Sequence, residues 1–377
     1  MKTLRLYLLI LFGLITLNHS AYSQVSTFSK TLQVSKGGII GVDISAGNVY
    51  VQTWKKDVCT IVIEEVNKED LENISLTQDG NEISLRTTGE IRYMSDVKIS
   101  IPESFNADIN TRGGNIGISG YLDGNLSIKT SGGNIKTGNV AGNATVKTAG
   151  GNVTVGNIEK ELTIKTSGGN ITTGNLGGSA SVSTAGGNIE IGSAKDNLNV
   201  STSGGNIEIR EGVASVTATT AGGNIGVEKL SGTSKLSTSG GDIDVKSAGG
   251  DLTAKTAAGS IEVLNVSGSF KASTSAGDIK CHVKQGFKGE VSVDTKVGSV
   301  YLMLPSGISA TVEANVRGIV AWGEPDAQNF ILSDFNPTRG PEFKGKKEVS
   351  ATFEINGGGN KISLKANMGS INIRRAK

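Results

Sequence analysis

Histidine, cysteine and proline are scarce in this chain, with two, two and five residues among 377. His282 is the only histidine beyond residue 23, so a zinc centre of several histidines or a Ser, His and acid triad has few partners to draw on. Cys59 and Cys281 are too few for the disulfide framework of an exported domain that relies on cross-links. Five prolines exclude a proline-rich stalk, and the 53 glycines lack the every-third spacing of collagen. Aromatic residues are 5% of the chain and absent between Tyr121 and Phe270, which argues against a ring-lined sugar site over that stretch. Net charge is also missing. Lys2 and Arg5 aside, 35 basic side chains face 35 acidic ones, so the chain as a whole has no general attraction for nucleic acid or anionic lipid.

No apolar run reaches the roughly 20 residues that a membrane-spanning helix needs. The longest, Leu6 to Leu17, follows Lys2 and Arg5 and precedes Ala21-Tyr22-Ser23. A basic start, a short apolar core and small residues at minus three and minus one make residues 1–23 an expected secretory signal peptide. No cysteine follows the run, so a lipoprotein anchor is not expected.

What is present is a beat of 18 residues. Threonine recurs at Thr130, Thr148, Thr166, Thr184, Thr202, Thr220, Thr238, Thr256 and Thr274, and five positions later stands Ile135, Val153, Ile171, Ile189, Ile207, Ile225, Ile243, Ile261 or Ile279. Gly-Gly-Asn lies between them in most copies, as in Gly204-Gly205-Asn206. A fixed period of this size marks a repeat architecture. Two alternating runs per copy, Asn134 to Thr137 and Ala144 to Thr148, read as short strands, and no helical period appears. A single copy cannot bury its apolar face, whereas copies stacked roughly 4.8 Å apart align Ile on Ile. The expected fold is all-β, a β-solenoid of about ten 18-residue rungs with β-rich N- and C-terminal caps. A three-sided hexapeptide helix is the lesser alternative, because it asks for an apolar residue at every sixth position. The glycines are expected to supply positive φ in the turns, and the row Asn134, Asn152, Asn170, Asn188, Asn206, Asn224, Asp242 to form an amide ladder whose loss of Asn relaxes the far end.

The organisation that follows is a leader at 1–23, an N-terminal β cap of ordinary antiparallel strands at 24–105, the repeat array at 106–288 and a C-terminal β cap at 289–377. That second cap holds an aromatic and proline-containing insertion at 319–347 and closes on two segments, around Phe353 to Leu364 and Met368 to Ile373, that read as two further rungs.

The Thr-Ser-Gly-Gly-Asn-Ile blocks, the early Ala46-Gly47-Asn48-Val49 and the terminal Gly357-Gly358-Gly359 with Met368-Gly369-Ser370-Ile371 resemble the bacterial putative-adhesin family of β-strand-repeat proteins. The resemblance spans nearly all of the chain after the leader. It implies an exported β-solenoid at the cell surface or in the envelope, adhesin-like, with a possible accessory role in envelope stress, and it brings no catalytic residues.

Candidate chemistry is sparse. The position after the core isoleucine reads Glu190, Glu208, Asp244 and Glu262, with Asp242 nearby; alternation turns this row outward, where solvated surface is the expected role over a divalent-cation site or the acid cluster of a polysaccharide-active enzyme. A row of Lys129, Lys147 and Lys165 fades to serine and threonine before Lys255, and solubility is its expected role over an anionic-polymer site. Cys281 fills the slot of Val155, Ile191, Ile209, Val227, Val245 and Val263, an apolar core position, and Cys59 reads the same way. No catalytic residue, cofactor or metal is expected. A partner is best sought where the beat breaks, at Trp322, Phe330, Phe335 and Phe343, although a cap burying those rings against the last rung explains them better than an exposed patch does. The sequence thus points to a non-enzymatic exported scaffold or adhesin, surface or periplasmic, whose partner is a protein or glycan of a cell envelope or surface, with no nucleic acid and no membrane span. An envelope-stress accessory protein is the alternative reading, and a polysaccharide-active enzyme a second.

Overall fold

The computed structural model describes residues 25–91, 94–319 and 326–376. The expected leader at 1–23, together with Trp322 and Pro325, lies outside them. Among the described residues no helix is long and apolar enough to cross a membrane. Thirty-five strands among the described residues form two open sheets. Each coil of the array gives one strand to each sheet, and their inward residues make one continuous core.

Counting carries the array. Ile135, Val153, Ile171, Ile189, Ile207, Ile225, Ile243, Ile261 and Ile279 pair directly with one another in parallel along the first sheet. In the second sheet Ile128, Val146, Ile164, Val182, Val200 and Ala218 do the same. Every isoleucine in the first row is almost fully buried, and each such burial stabilises the rod by roughly 1.5–3 kcal/mol. A second core row alternates by size at first, Leu126, Ala144, Leu162, Ala180 and Leu198, so that large side chains fill the space left above small ones. Most first-sheet strands of the array run longer than the sequence suggested, though Val153–Val155 and Ile243–Val245 are shorter. Ile135–Val140 continues through a shift of register between Thr137 and Asn139 before the chain turns into Ala144–Thr148.

The turn glycines are needed for a reason other than positive φ. Gly133, Gly151, Gly169, Gly187, Gly205, Gly223, Gly241 and Gly259 all keep φ outside the left-handed region, which the corresponding glycine enters towards the ends of the stack, at Gly47, Gly114, Gly277 and Gly298. Instead, a Cβ on Gly205 would sit 2.0 Å from the carbonyl oxygen of Gly187 in the preceding rung, and one on Gly223 2.0 Å from that of Gly205. The first glycine of each pair is freer, with a Cβ on Gly204 3.5 Å from the nearest oxygen. The threonine beat completes this contact. Thr202 Oγ1 donates to the Gly187 carbonyl at 2.9 Å and accepts the Gly205 N–H at 3.3 Å, and the same pair of bonds recurs from Thr148 to Thr256. Both backbone groups are buried, and leaving one unpaired costs about 1–3 kcal/mol.

The ends depart from chain order. At the N-terminus, Val25–Gln33 with Val58–Asn67, Val58–Asn67 with Asp96–Pro102, and Ile74–Asp79 with Glu82–Thr87 are antiparallel as expected. Ile39–Ile44 and Asn48–Trp54 are not: both are parallel rung strands inserted between later segments, the first between Glu82–Thr87 and Asn106–Thr111, the second between Asp96–Pro102 and Ile116–Leu122. The mirror arrangement closes the other end. Asn360–Asn367 slots between Val291–Thr295 and Ala310–Arg317, while Ile371–Arg375 slots between Val300–Leu304 and Ile331–Ser333. These terminal strands make one rung rather than two, because a rung needs one strand in each sheet, and residues 310–355 lie outside it.

Gly205→Ala and Gly204→Ala separate the two glycine roles. Gly205→Ala should cost about 2 kcal/mol or more through the backbone clash, and Gly204→Ala should stay within about 0.5 kcal/mol of the parent. Thermal melts followed by circular dichroism check this; equal effects would mean that close rung contact is not what demands glycine.

Candidate functional site

The Asn row lies at a corner of the coil. Asn188 Oδ1 accepts the backbone N–H of Asn206 at 2.8 Å, and Asn206 Oδ1 that of Asn224 at 2.8 Å, with the same bond at Asn134, Asn152 and Asn170. Through the array the donors are main-chain, not neighbouring amides. Aspartate therefore serves equally: Ser260 N donates to Asp242 Oδ1 at 2.7 Å and Ser299 N to Asp278 Oδ1 at 2.8 Å, so the change from Asn does not relax the far end. Two more corner ladders, Asn139-Asn157-Asn175 and Asn125-Asn143-Glu161, work the same way. Their 18-residue spacing was there to be counted, but no strict motif flags them.

The acidic row is exposed on the outer face of the first sheet. Glu190 pairs in register with Glu208, and Asp244 with Glu262. Loss of water and then the charge of Asp244 push the Glu208 carboxyl above its ordinary range, and loss of water and then Asp242 do the same for Asp244. Bases interleave with acids here: Lys229 meets Glu211 at 2.6 Å, Lys246 meets Glu228 at 3.1 Å and Lys280 meets Glu262 at 3.7 Å. Among the described residues no three of His, Cys, Asp and Glu are grouped to hold a metal ion. Cys59 and Cys281 are fully buried, and burial pushes the Cys59 thiol up to about 12 and the Cys281 thiol up as well. His282, next along the strand, is only partly buried and pairs in register with Met303.

Three of the four C-terminal aromatics are described, and they are packed rather than displayed. Phe330 and Phe343 meet edge to face with centroids 6.3 Å apart at 77°, both against the core. Phe335 is buried under the Arg375 guanidinium, 4.8 Å from its ring centroid. Trp322 lies outside the described residues. A clamp holds this end. Asp334 accepts the Arg375 N–H at 3.0 Å and the Arg374 guanidinium at 2.8 Å, and these two bonds, in that order, hold its carboxyl below the ordinary range.

An aromatic feature at the other end was not anticipated. A depression of about 740 Å³ opens on the outer face of the first sheet, lined by Tyr50, Gln52, Lys98, Gly117, Ser119, Lys136 and Gly138. Register stacks Lys98, Tyr50, Gly117 and Lys136 in successive rungs. A Cβ on Gly117 would come within 3.0 Å of the Tyr50 ring, so the ring covers the gap that glycine leaves while staying 40% exposed. Lys98 is held by Glu64 at 2.6 Å, a bond that raises its ammonium above the usual range. The trough offers a ring face, small hydroxyls and an amide. Tyr50 precedes the regular beat, which is why repeat counting passed over it.

Fold and surfaces together define an elongated all-β repeat protein. Residues 192–374 match the model of the Toastrack DUF4097 family, and the resemblance to adhesin-like β-repeat proteins read from the sequence is thereby borne out. No curated protein matches the chain. Among solved structures it is similar to a putative adhesin from Bacteroides fragilis, 18% identical over 68% of this chain and 97% of that one with a TM-score of 0.35. A putative adhesin from Parabacteroides distasonis is 16% identical over 74% and 98%, with a TM-score of 0.29. A putative lipid binding protein from that species is 13% identical over 73% and 94%, with a TM-score of 0.25.

The clamp predicts a response to acid. A carboxyl whose folded pKa is depressed contributes stability at neutral pH, and that contribution is lost as pH falls through the folded value. Amide exchange of Ile331–Ser333 should therefore speed up in acid relative to the central rungs, and Asp334→Asn should show the faster exchange already at pH 7. Exchange at this strand that ignores both pH and the substitution would remove the clamp.

Proposed function

We propose that the chain is an exported, non-enzymatic binding protein of the cell envelope, adhesin-like, in which a stiff solenoid presents its outer faces to a partner. One observation carries this reading: inward and corner positions repeat almost without change and are engaged in core and ladder bonds, while outward positions vary from rung to rung. Variation confined to solvent faces is what a scaffold for recognition needs. The Tyr50 trough is one such face, and its exposed ring with neighbouring hydroxyls suits a sugar ring or a small amphipathic group. The division into an N-terminal cap at 24–105, an array at 106–288 and a C-terminal cap at 289–377 belongs to the same proposal, with the array as spacer and display surface. The sequence resemblance to adhesin-like proteins supports it. The partner is then a protein or glycan of a cell surface or envelope.

Protease treatment of intact cells followed by fractionation tests the reading. Surface display predicts that the chain is degraded without lysis, and an envelope pool predicts protection until the outer layer is opened. Recovery of the chain only with cytosolic markers would overturn it.

A further inference from the structure

On the reading above, we propose that the outer face of the second sheet binds a linear carboxylated polysaccharide laid along the rod axis. The face runs across nine parallel strands from Leu126–Thr130 to Phe270–Thr274, each with two outward positions. Six of these positions are Lys129, Lys147, Lys165, Lys235, Lys255 and Lys271; all the others are Ser, Thr or Asn, and none is acidic. Such one-signed charge is notable in a chain that is balanced overall. It also contrasts with the first sheet, where Lys229, Lys246 and Lys280 each meet a carboxylate.

Lys129, Lys147 and Lys165 stand directly in register, roughly 4.8 Å apart from rung to rung. Like charges so stacked repel one another. The fold does not ask for them, because the same column carries Ser183, Ser201 and Thr219 in the next rungs. All six lysines are exposed. An anion lying along the column relieves the repulsion.

Between the two lysine groups runs a shallow furrow of about 460 Å³, floored by Thr163, Ser181, Asn199 and Thr217, with Glu161 at its corner edge. Hydroxyls and an amide in line match the alternating donors and acceptors of sugar hydroxyls. Rung spacing is close to the length of one sugar residue, so carboxylates on successive sugars can address successive lysines. No aromatic side chain lies on this face, which leaves nucleobases nothing to stack on. The occupant that fits is therefore an acidic glycan rather than a nucleic acid.

Titration calorimetry of the purified chain with polygalacturonate, neutral dextran and oligo-dT tests this. The expected result is binding to polygalacturonate that weakens with salt, with dextran and oligo-dT at least about tenfold weaker. Replacing Lys129, Lys147 and Lys165 together by Ser should lower affinity about tenfold or more with an unchanged melting temperature. The Lys235, Lys255 and Lys271 triple serves as an independent second variant, and Lys246→Ser on the opposite sheet should leave affinity as it was. Absent binding, oligo-dT binding as tight as polygalacturonate, or folded triple variants that bind like the parent would overturn the inference. Failure here with the chain still accessible on intact cells leaves the reading as an exported binding protein standing, whereas a purely cytosolic chain removes that reading whatever the titration gives.

Discussion

Everything in the rod depends on one contact, the approach of a glycine in each rung to the glycine carbonyl of the rung before. At Gly205 there is no room for a Cβ, and the Thr202 hydroxyl uses that closeness to tie both backbone groups, reaching back to the Gly187 carbonyl and forward to the Gly205 N–H. A threonine without the glycine would have nothing near enough to bond, and the glycine without the threonine would leave buried polar groups unpaired. The two rows therefore keep the same beat. With that corner fixed, the isoleucine and asparagine rows fall into register.

A corner that locks the backbone leaves the outward side chains free to vary. Outward positions neither enter the core nor close a corner, and they hold acids interleaved with bases on one sheet, lysines among hydroxyls on the central strands of the other and a tyrosine trough near one end. A lysine-bearing stretch on one face is thus compatible with a chain of almost no net charge. Both ends use the same device, a rung strand slipped between segments distant in sequence, and antiparallel strands lie outside it, Val25–Gln33 and Ile74–Asp79 at one end and Arg339–Phe343 at the other.

Much of this was legible by counting. The isoleucine row, the threonine beat, the inward place of Cys281 and the two strands per copy all follow from spacing, because in a stack the period of the sequence is the period of the structure. Less legible was why each residue sits where it does. Glycine was read as a source of positive φ when its task is to allow contact between rungs, a relation invisible within a single copy. The asparagine ladder was read with amide donors when the donors are main-chain, so Asp242 and Asp278 looked like losses and are not. Spatial order at the ends could not be counted at all, since nothing in Asn360–Asn367 says that it lies inside Ala310–Arg317. The six lysines gathered on one face emerged only once Lys235 and Lys271, two positions off the row of Lys129, were placed on the same sheet. Aromatic content drew attention to Phe330, Phe335 and Phe343, which the fold packs inward, and away from Tyr50, which it leaves half exposed.

The central claim is that one rung of 18 residues is the unit of structure. Deleting residues 207–224 joins Asn206 to Ile225 and removes one whole rung, whereas deleting residues 207–223 leaves the beat one residue out of step and turns core side chains outward. Solution scattering and thermal melts on the two deletions test it most directly. The account predicts that the 18-residue deletion melts cooperatively near the parent and is shorter by roughly 4.8 Å, while the 17-residue deletion loses its cooperative transition. Two deletions that behave alike, whether both intact or both unfolded, would contradict it.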